Sequence, residues 1–139
     1  CDVAEIHLQP RPGTDVTLFN AMAKVILNEG LENQDFIDNR TEGFDEWREV
    51  VDKINLSEAE KITGVPAADI SKAARLYAQP KPNSDGTDRG SCLIWGMGVT
   101  QHTNGSDNAR SLINLALSSG QVGKSGNGIS PLRGQNNIN

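Results

Sequence analysis

Arg133 stands in the stretch PLRGQNNIN, residues 131–139, between a leucine and a glycine and just ahead of three primary amides, Gln135, Asn136 and Asn137. These neighbours offer neutral hydrogen bonds and no carboxylate, so the positive charge is not cancelled locally. A planar guanidinium in such a setting suits a small carboxylate held bidentately, each charge-assisted bond contributing about 1.5–3 kcal/mol where water is excluded. The competing reading pairs Arg133 with an acidic side chain distant in sequence, as surface arginines commonly do.

Two glycine turns are the other candidates for chemistry. Gly13, Thr14 and Asp15 sit where a helix is expected to begin. Asp15 can cap that helix, or it can accept hydrogen bonds from the N–H edge of a purine such as guanine; the local residues leave both open. Gly96-Met97-Gly98-Val99-Thr100-Gln101 is a G-x-G-x-x-Q variant of the dinucleotide fingerprint, with glutamine in place of the third glycine. Lying after a strand and before a helix, it suits a phosphate or pterin approaching backbone amides, although tight turns also use glycine for steric reasons alone. His102 and His7 have no second imidazole or thiol at ligand spacing and read as loop and strand residues. Gly120 to Ser125, GQVGKS, is not a phosphate-binding P-loop, because position 118 is serine and the stretch follows a helix. A glycine loop covering a bound group remains open to it.

The elements that must position these residues follow from periodicity. Val3 to Gln9 alternates apolar and polar residues and predicts a strand stopped by Pro10 and Pro12; RPGTD then leads into a helix carrying Val16, Phe19, Ala23 and Ile26 until Gly30. Residues 33–77 read as helical. Phe44, Trp47, Val51 and Ile54 form one stripe, Ser57 with Glu60 predicts a capping box, Gly64 a stop, and Pro66 the start of a helix that turns Ile70, Ala73, Ala74 and Tyr77 inward. QPKPNSDGTDRG, 79–90, reads as an exposed loop. Ser91 to Trp95 reads as a strand and Ala109, Leu112, Ile113 and Ala116 as a buried helical face; QVGKSGNGISPLRGQNNIN beyond has no periodicity. Strand, glycine turn and helix thus occur twice, which predicts an α/β fold, a partial parallel-sheet Rossmann-like domain with an inserted helical segment.

The totals narrow the classes. The 139 residues suit one domain, with 36% apolar and 4% aromatic residues giving a lean core that folds weakly alone. The chain opens at Cys1 without an initiator methionine, and residues 1–139 are expected to be a piece of a larger subunit. The net charge of −5 divides into +2 for residues 90–139 and −7 for residues 1–89, and nine of the 14 glycines fall in the basic part. That part is where an anionic group would approach backbone closely. SEAEKITGVPAADISKAARLY, 57–77, resembles a helix-turn-helix, but Lys61, Lys72 and Arg75 are offset by Glu58, Glu60 and Asp69, so packing is expected and nucleic-acid binding is not. No apolar run approaches a membrane span, and Cys1 and Cys92 lack the spacing of a disulfide framework or zinc site, which favours a reduced, cytoplasmic setting.

The run GMGVTQHTNGSDNARSLINLALSSGQVGKSGNGISPLRGQNN, 96–137, together with HLQPRPGTD at 7–15, resembles the large catalytic subunit of molybdopterin-dependent formate dehydrogenases. The resemblance covers nearly the whole chain and is looser in the helical middle. It implies a bis(molybdopterin guanine dinucleotide) cofactor with molybdenum or tungsten, Gly13, Thr14 and Asp15 in the guanine dinucleotide site, and Met97, Gly98 and Gln101 at the turn touching the pterin. It implies that Arg133 holds formate, with Gly134 and Gln135 lining the same pocket, and that an electron-transfer subunit and the remainder of the catalytic subunit are partners.

The departures from that pattern are equally definite. The family's metal is held by cysteine or selenocysteine followed by histidine, whereas Cys1 precedes Asp2 and Cys92 precedes Leu93. The metal ligand and the iron–sulfur cluster are therefore expected upstream, and the isolated 139 residues are expected neither to bind metal stably nor to turn over substrate. Two alternatives stand beside formate oxidation: another molybdopterin oxidoreductase acting on an oxyanion such as nitrate, and a non-catalytic cofactor-binding module.

Overall fold

A computed structural model describes residues 3–79, 82, 84–86 and 89–132. Among the described residues seven helices and two strands follow in the order α1 (Asp15–Asn28), α2 (Gln34–Arg40), α3 (Phe44–Asp52), α4 (Leu56–Thr63), α5 (Ala67–Ala78), β1 (Cys92–Trp95), α6 (Met97–Thr100), α7 (Gly105–Ser118) and β2 (Gly128–Pro131). The fold is mainly helical with a two-stranded parallel sheet.

Helix α1 is the hub. Its DVTLFNAMAKVILN sequence buries Leu18, Ala21, Met22, Ala23, Val25, Ile26 and Leu27, more than one face, because α3, α4, α5 and α7 all pack on it. Ile26, Val51, Ile70 and Leu115 are fully enclosed and come from α1, α3, α5 and α7 in turn. Each such side chain contributes about 1.5–3 kcal/mol relative to exposure. The α4–α5 pair that resembles a helix-turn-helix packs here through Ala59, Ile70, Ala73 and Ala74.

Helices α1 and α7 end alike. Leu31 N–H reaches back to the Ile26 carbonyl at 3.0 Å, and Gln121 N–H to that of Ala116 at 2.9 Å. Gly30 and Gly120 supply the left-handed residue that each such ending requires, both at φ 64°. Asn33 N–H then donates to the Ser118 carbonyl at 2.9 Å, tying the two C-terminal ends together. The two helices pack against each other and are joined at these ends.

Strand β1 pairs with β2 in parallel, Cys92 opposite Gly128 and Trp95 opposite Pro131, with α7 in the connection. The pairing continues one residue further, Leu132 N–H donating to the Trp95 carbonyl at 2.7 Å. The sequence predicted parallel strands at 3–9 and 91–95; the parallel partner of 91–95 is instead β2, which was not expected, since GISP has too few residues to show a period.

Three expectations are corrected. Residues 3–9 form no strand: Ile6 and Leu8 pack against the core while Glu5 and His7 face solvent, so the alternation is real, but among the described residues no strand lies alongside to form a ladder. The α4 cap is Asn55, whose Oδ1 accepts from Ser57 and Glu58 N–H at 2.9 and 3.3 Å, so Ser57 lies inside the helix; Glu60 instead accepts from Ala67 N–H at 2.9 Å, capping α5. In α7 Leu112 and Ala116 are buried as expected, but Ile113 is exposed, because the buried stripe runs through Gly105, Asn108, Leu112 and Leu115.

Candidate functional site

The first turn is built by its own residues and then fastened to a helix far along the chain. Thr14 N–H donates to the Arg11 carbonyl at 3.2 Å, and Thr14 Oγ1 donates to the same oxygen at 2.7 Å, closing a turn with Pro12 and Gly13 at its centre. Proline supplies the fixed φ such a turn needs, and Gly13, at φ 81°, the left-handed position after it. Arg11 holds the turn in place: its N–H donates to the Thr63 carbonyl at 2.8 Å, and its Nη1 to the carbonyls of Lys61 at 2.6 Å and Ile62 at 3.3 Å, at the C-terminal end of α4. A cation there also meets the negative end of the helix dipole.

Asp15 follows as the first residue of α1. The N-cap position belongs to Thr14, and neither side chain makes a capping bond. Among the described residues the Asp15 carboxylate has no hydrogen-bond or ion-pair partner, so the capping alternative is not what the structure adopts.

The second turn leaves the C-terminal end of β1 at Gly96 and coils into the single turn of α6. Gln101 N–H donates to the Met97 carbonyl at 2.8 Å, Gln101 Nε2 lies 3.3 Å from Met97 Sδ, and His102 Nε2 is 2.8 Å from the Gly98 carbonyl. Met97, Gly98, Gln101 and His102 are all exposed. An ideal Cβ at Gly13 or at Gly98 meets no atom within 4 Å, so the backbone at both turns is open to an incoming group.

What sequence reasoning missed is the support beneath this turn. Asn108 of α7 is completely buried. Its Nδ2 donates to the Val99 carbonyl at 2.9 Å, and its Oδ1 accepts from Asn104 Nδ2 at 3.1 Å. Gly105 lies so close below that a Cβ added to it would sit 2.1 Å from the Thr100 carbonyl oxygen. The signal was available: stepping back from Leu115 and Leu112 at helical spacing lands on Asn108 and Gly105, a polar and a minimal residue on the inward face.

The turns that precede α1 and α7, 11–15 and 96–101, each lie ahead of the N-terminal end of the helix that follows, and those two helices pack on each other. Leu132, whose amide bonds the Trp95 carbonyl, ends the described chain beside Gly96. Arg133, Gly134 and Gln135 lie outside the described residues. No group of three or more His, Cys, Asp or Glu able to hold a metal ion is found among the described residues, and no helix among them is long and apolar enough to cross a membrane.

Exposed glycine turns at helix N-termini, one of them at the carboxyl end of a parallel strand, are how α/β proteins receive ligands bearing phosphate or a heterocycle. The family model for molybdopterin oxidoreductases matches residues 3–139, and the chain belongs to that family. It is 44% identical over 135 residues to the F420-dependent formate dehydrogenase subunit alpha of Methanocaldococcus jannaschii, covering 97% of this chain and 19% of that protein. It is 42% identical over 136 residues to formate dehydrogenase H of Escherichia coli, covering 98% and 18%. The solved structure of acetylene hydratase from Pelobacter acetylenicus matches with a TM-score of 0.76 and 32% identity, over 86% of this chain and 15% of that one. The chain thus spans less than a fifth of the length of these relatives.

The described turns fit the family's cofactor. Backbone at Gly13 and Gly98 is open, and the Asp15 carboxylate and the exposed Gln101 amide offer acceptor and donor groups of the kind a pterin edge takes up.

Proposed function

We propose that residues 1–139 are part of the molybdopterin-binding region of a formate dehydrogenase catalytic subunit, the complete protein oxidising formate to carbon dioxide. The observation that carries this reading is identity of 42% and 44% to two formate dehydrogenases over nearly the whole chain, reinforced by the open turns at both sequence-identified cofactor segments. A Rossmann-like sheet with further strands beside β1 and β2 belongs to the same proposal and is supported by their parallel pairing across α7.

In this reading Asp15 accepts from the guanine of a bis(molybdopterin guanine dinucleotide), with Gly13 and Thr14 presenting backbone to the dinucleotide. Met97, Gly98 and Gln101 meet the pterin. The cofactor, carrying molybdenum or tungsten, supplies the two-electron acceptor. Arg133 holds the formate carboxylate beside it, with Gly134 and Gln135 lining the pocket, so the chain contributes orientation and positive charge. The metal ligand, an iron–sulfur cluster and an electron-transfer subunit complete the system outside these residues. A reduced, cytoplasmic setting is included on the cysteine usage of the sequence.

The test is Arg133→Ala in the complete subunit, assayed with formate and with nitrate using a dye as electron carrier. Loss of one or two charge-assisted bonds of about 1.5–3 kcal/mol each lowers kcat/KM on formate by at least about tenfold. Undiminished turnover at low formate would overturn the role of Arg133, and a wild-type subunit that reduces nitrate and ignores formate would overturn the reaction.

A further inference from the structure

We propose that Asn108 is a positioning residue for the cofactor turn, holding the Val99 carbonyl, and with it residues 97–101, at a fixed height above α7. The inference rests on the reading that this turn meets the pterin, and adds a residue that does not itself reach the ligand.

The geometry assigns this role to Asn108 for three reasons. It is a fully buried polar side chain, and such a group persists in a core only when its hydrogen bonds are made. Both ends of its amide are engaged: Nδ2 donates to Val99 O at 2.9 Å across to the turn, and Oδ1 accepts from Asn104 Nδ2 at 3.1 Å, which fixes the amide's orientation. Its backbone is fixed as well, its N–H donating to the Asn104 carbonyl at 3.0 Å and its carbonyl accepting from Ser111 Oγ at 2.8 Å. Gly105, one turn earlier on the same face, sets how near the turn can approach, and Asn108 bonds it at that distance. The Val99 carbonyl is thereby tied to α7, whose Leu112, Leu115 and Ala116 are anchored in the protein interior. The exposed residues of the turn, Met97, Gly98 and Gln101, inherit their placement from a bond on its inner side.

Substituting Asn108→Asp tests this, because the shape is kept and only the donor changes. As a neutral carboxylic acid the side chain can donate O–H to Val99 O and accept from Asn104, reproducing both bonds; ionised, it presents lone pairs to the Val99 carbonyl and repels it. The titratable or charged groups to be accounted for are its sequence neighbours Asp107 and Arg110 on α7 and His102 on the turn, all exposed, and Asp15 in the first turn of α1, the helix packed on α7; all are common to wild type, whose own pH profile is the reference. In the complete cofactor-loaded subunit, kcat/KM for formate in Asn108→Asp is expected to fall about 10- to 100-fold at pH 8, the range typical of residues that orient a ligand-bearing group. Metal and guanine nucleotide content after gel filtration fall with it, and both recover toward wild type as the pH is lowered to 6.

Leu112→Ala is the control for general destabilisation, since it opens the core one turn beyond Asn108 on the same helix and leaves the Asn108 bond to Val99 in place. Loss in Asn108→Asp that matches Leu112→Ala at equal thermal stability, or that shows no pH dependence beyond wild type, overturns the proposal. Gln101→Ala separates this inference from the reading beneath it. If Gln101→Ala lowers cofactor content and Asn108→Leu, which can make neither bond at any pH, does not, the positioning role alone fails; if neither does, the assignment of the turn to the cofactor fails too.

Discussion

Replacing Gly105 by alanine puts a methyl group 2.1 Å from the Thr100 carbonyl oxygen, 2.7 Å from its carbonyl carbon and 3.1 Å from its Cα. These are backbone atoms, so no rotamer change removes the clash, and the 97–101 turn must lift from α7 by roughly 0.9 Å to reach even the closest separation that real Cβ atoms show. Two effects oppose each other. Alanine gains up to about 1 kcal/mol over glycine in helix propensity, less at the first helical residue. Overpacking against backbone costs about 1–3 kcal/mol, and moving the turn strains the Asn108 bond to Val99 as well. The steric cost wins. For catalysis the displacement itself matters more, since a misplacement of about 1 Å away from the reacting atoms can cost about 10²-fold in rate. The assay is thermal unfolding together with formate kinetics on the complete subunit, wild type against Gly105→Ala. A variant that unfolds at a higher temperature and retains wild-type kcat/KM would refute both the close approach and the importance of the turn's height.

Two further outcomes are expected. Asn55→Ala lowers stability by about 1 kcal/mol through loss of the α4 cap, while Ser57→Ala stays within about 0.5 kcal/mol, and denaturant midpoints of the two variants distinguish the caps. Acid sensitivity follows from Glu29 and Asp52: hydrogen bonds from Arg75 at 2.6 and 2.7 Å hold the Glu29 carboxyl below the usual range, and one from Lys24 does the same for Asp52. Depressed folded values mean stability that is present above the unfolded carboxylate pKa of about 4 and is lost as the pH falls through the folded one. The difference in unfolding midpoint between wild type and Arg75→Gln is therefore constant from pH 7 to about 5 and closes below about 4; a difference that widens in acid would contradict the pairing.

Periodicity made the helices legible because burial acts on it directly. Ala23 and Ile26 in α1, Val51 in α3, and Ile70 with Ala73 and Ala74 in α5 are buried where spacing placed them. The errors share a cause, which is that a partner decides the outcome. Residues 3–9 alternate correctly, yet a strand needs a neighbour to bond. Ser57 is a good cap in isolation, but Asn55 stands two residues earlier with the same chemistry and a side chain that reaches two N–H groups. At the site, glycines marked the turns because close backbone approach demands them, while the hydrogen bonds of Arg11 and Asn108 had to wait for the structure: helical spacing puts Asn108 on the inward face, but the partners on α4 and α6 lie 50 and nine residues away. Asp15 could be lifted above a capping role only by family resemblance; in the structure no side chain caps α1.

The central place of α1 has a consequence for how the protein is made. Ninety residues separate Asn28, where α1 ends, from Ser118, where α7 ends and the Asn33 lock forms. At synthesis rates of about 5–20 residues per second, α1 leaves the ribosome roughly 5–18 s before the helix that closes its remaining face. During that interval Leu18, Met22 and their neighbours are only partly covered by α3, α4 and α5. A nascent chain in this state exposes apolar surface, and slowing translation between the codons for Cys92 and Gly105 would prolong its exposure to aggregation.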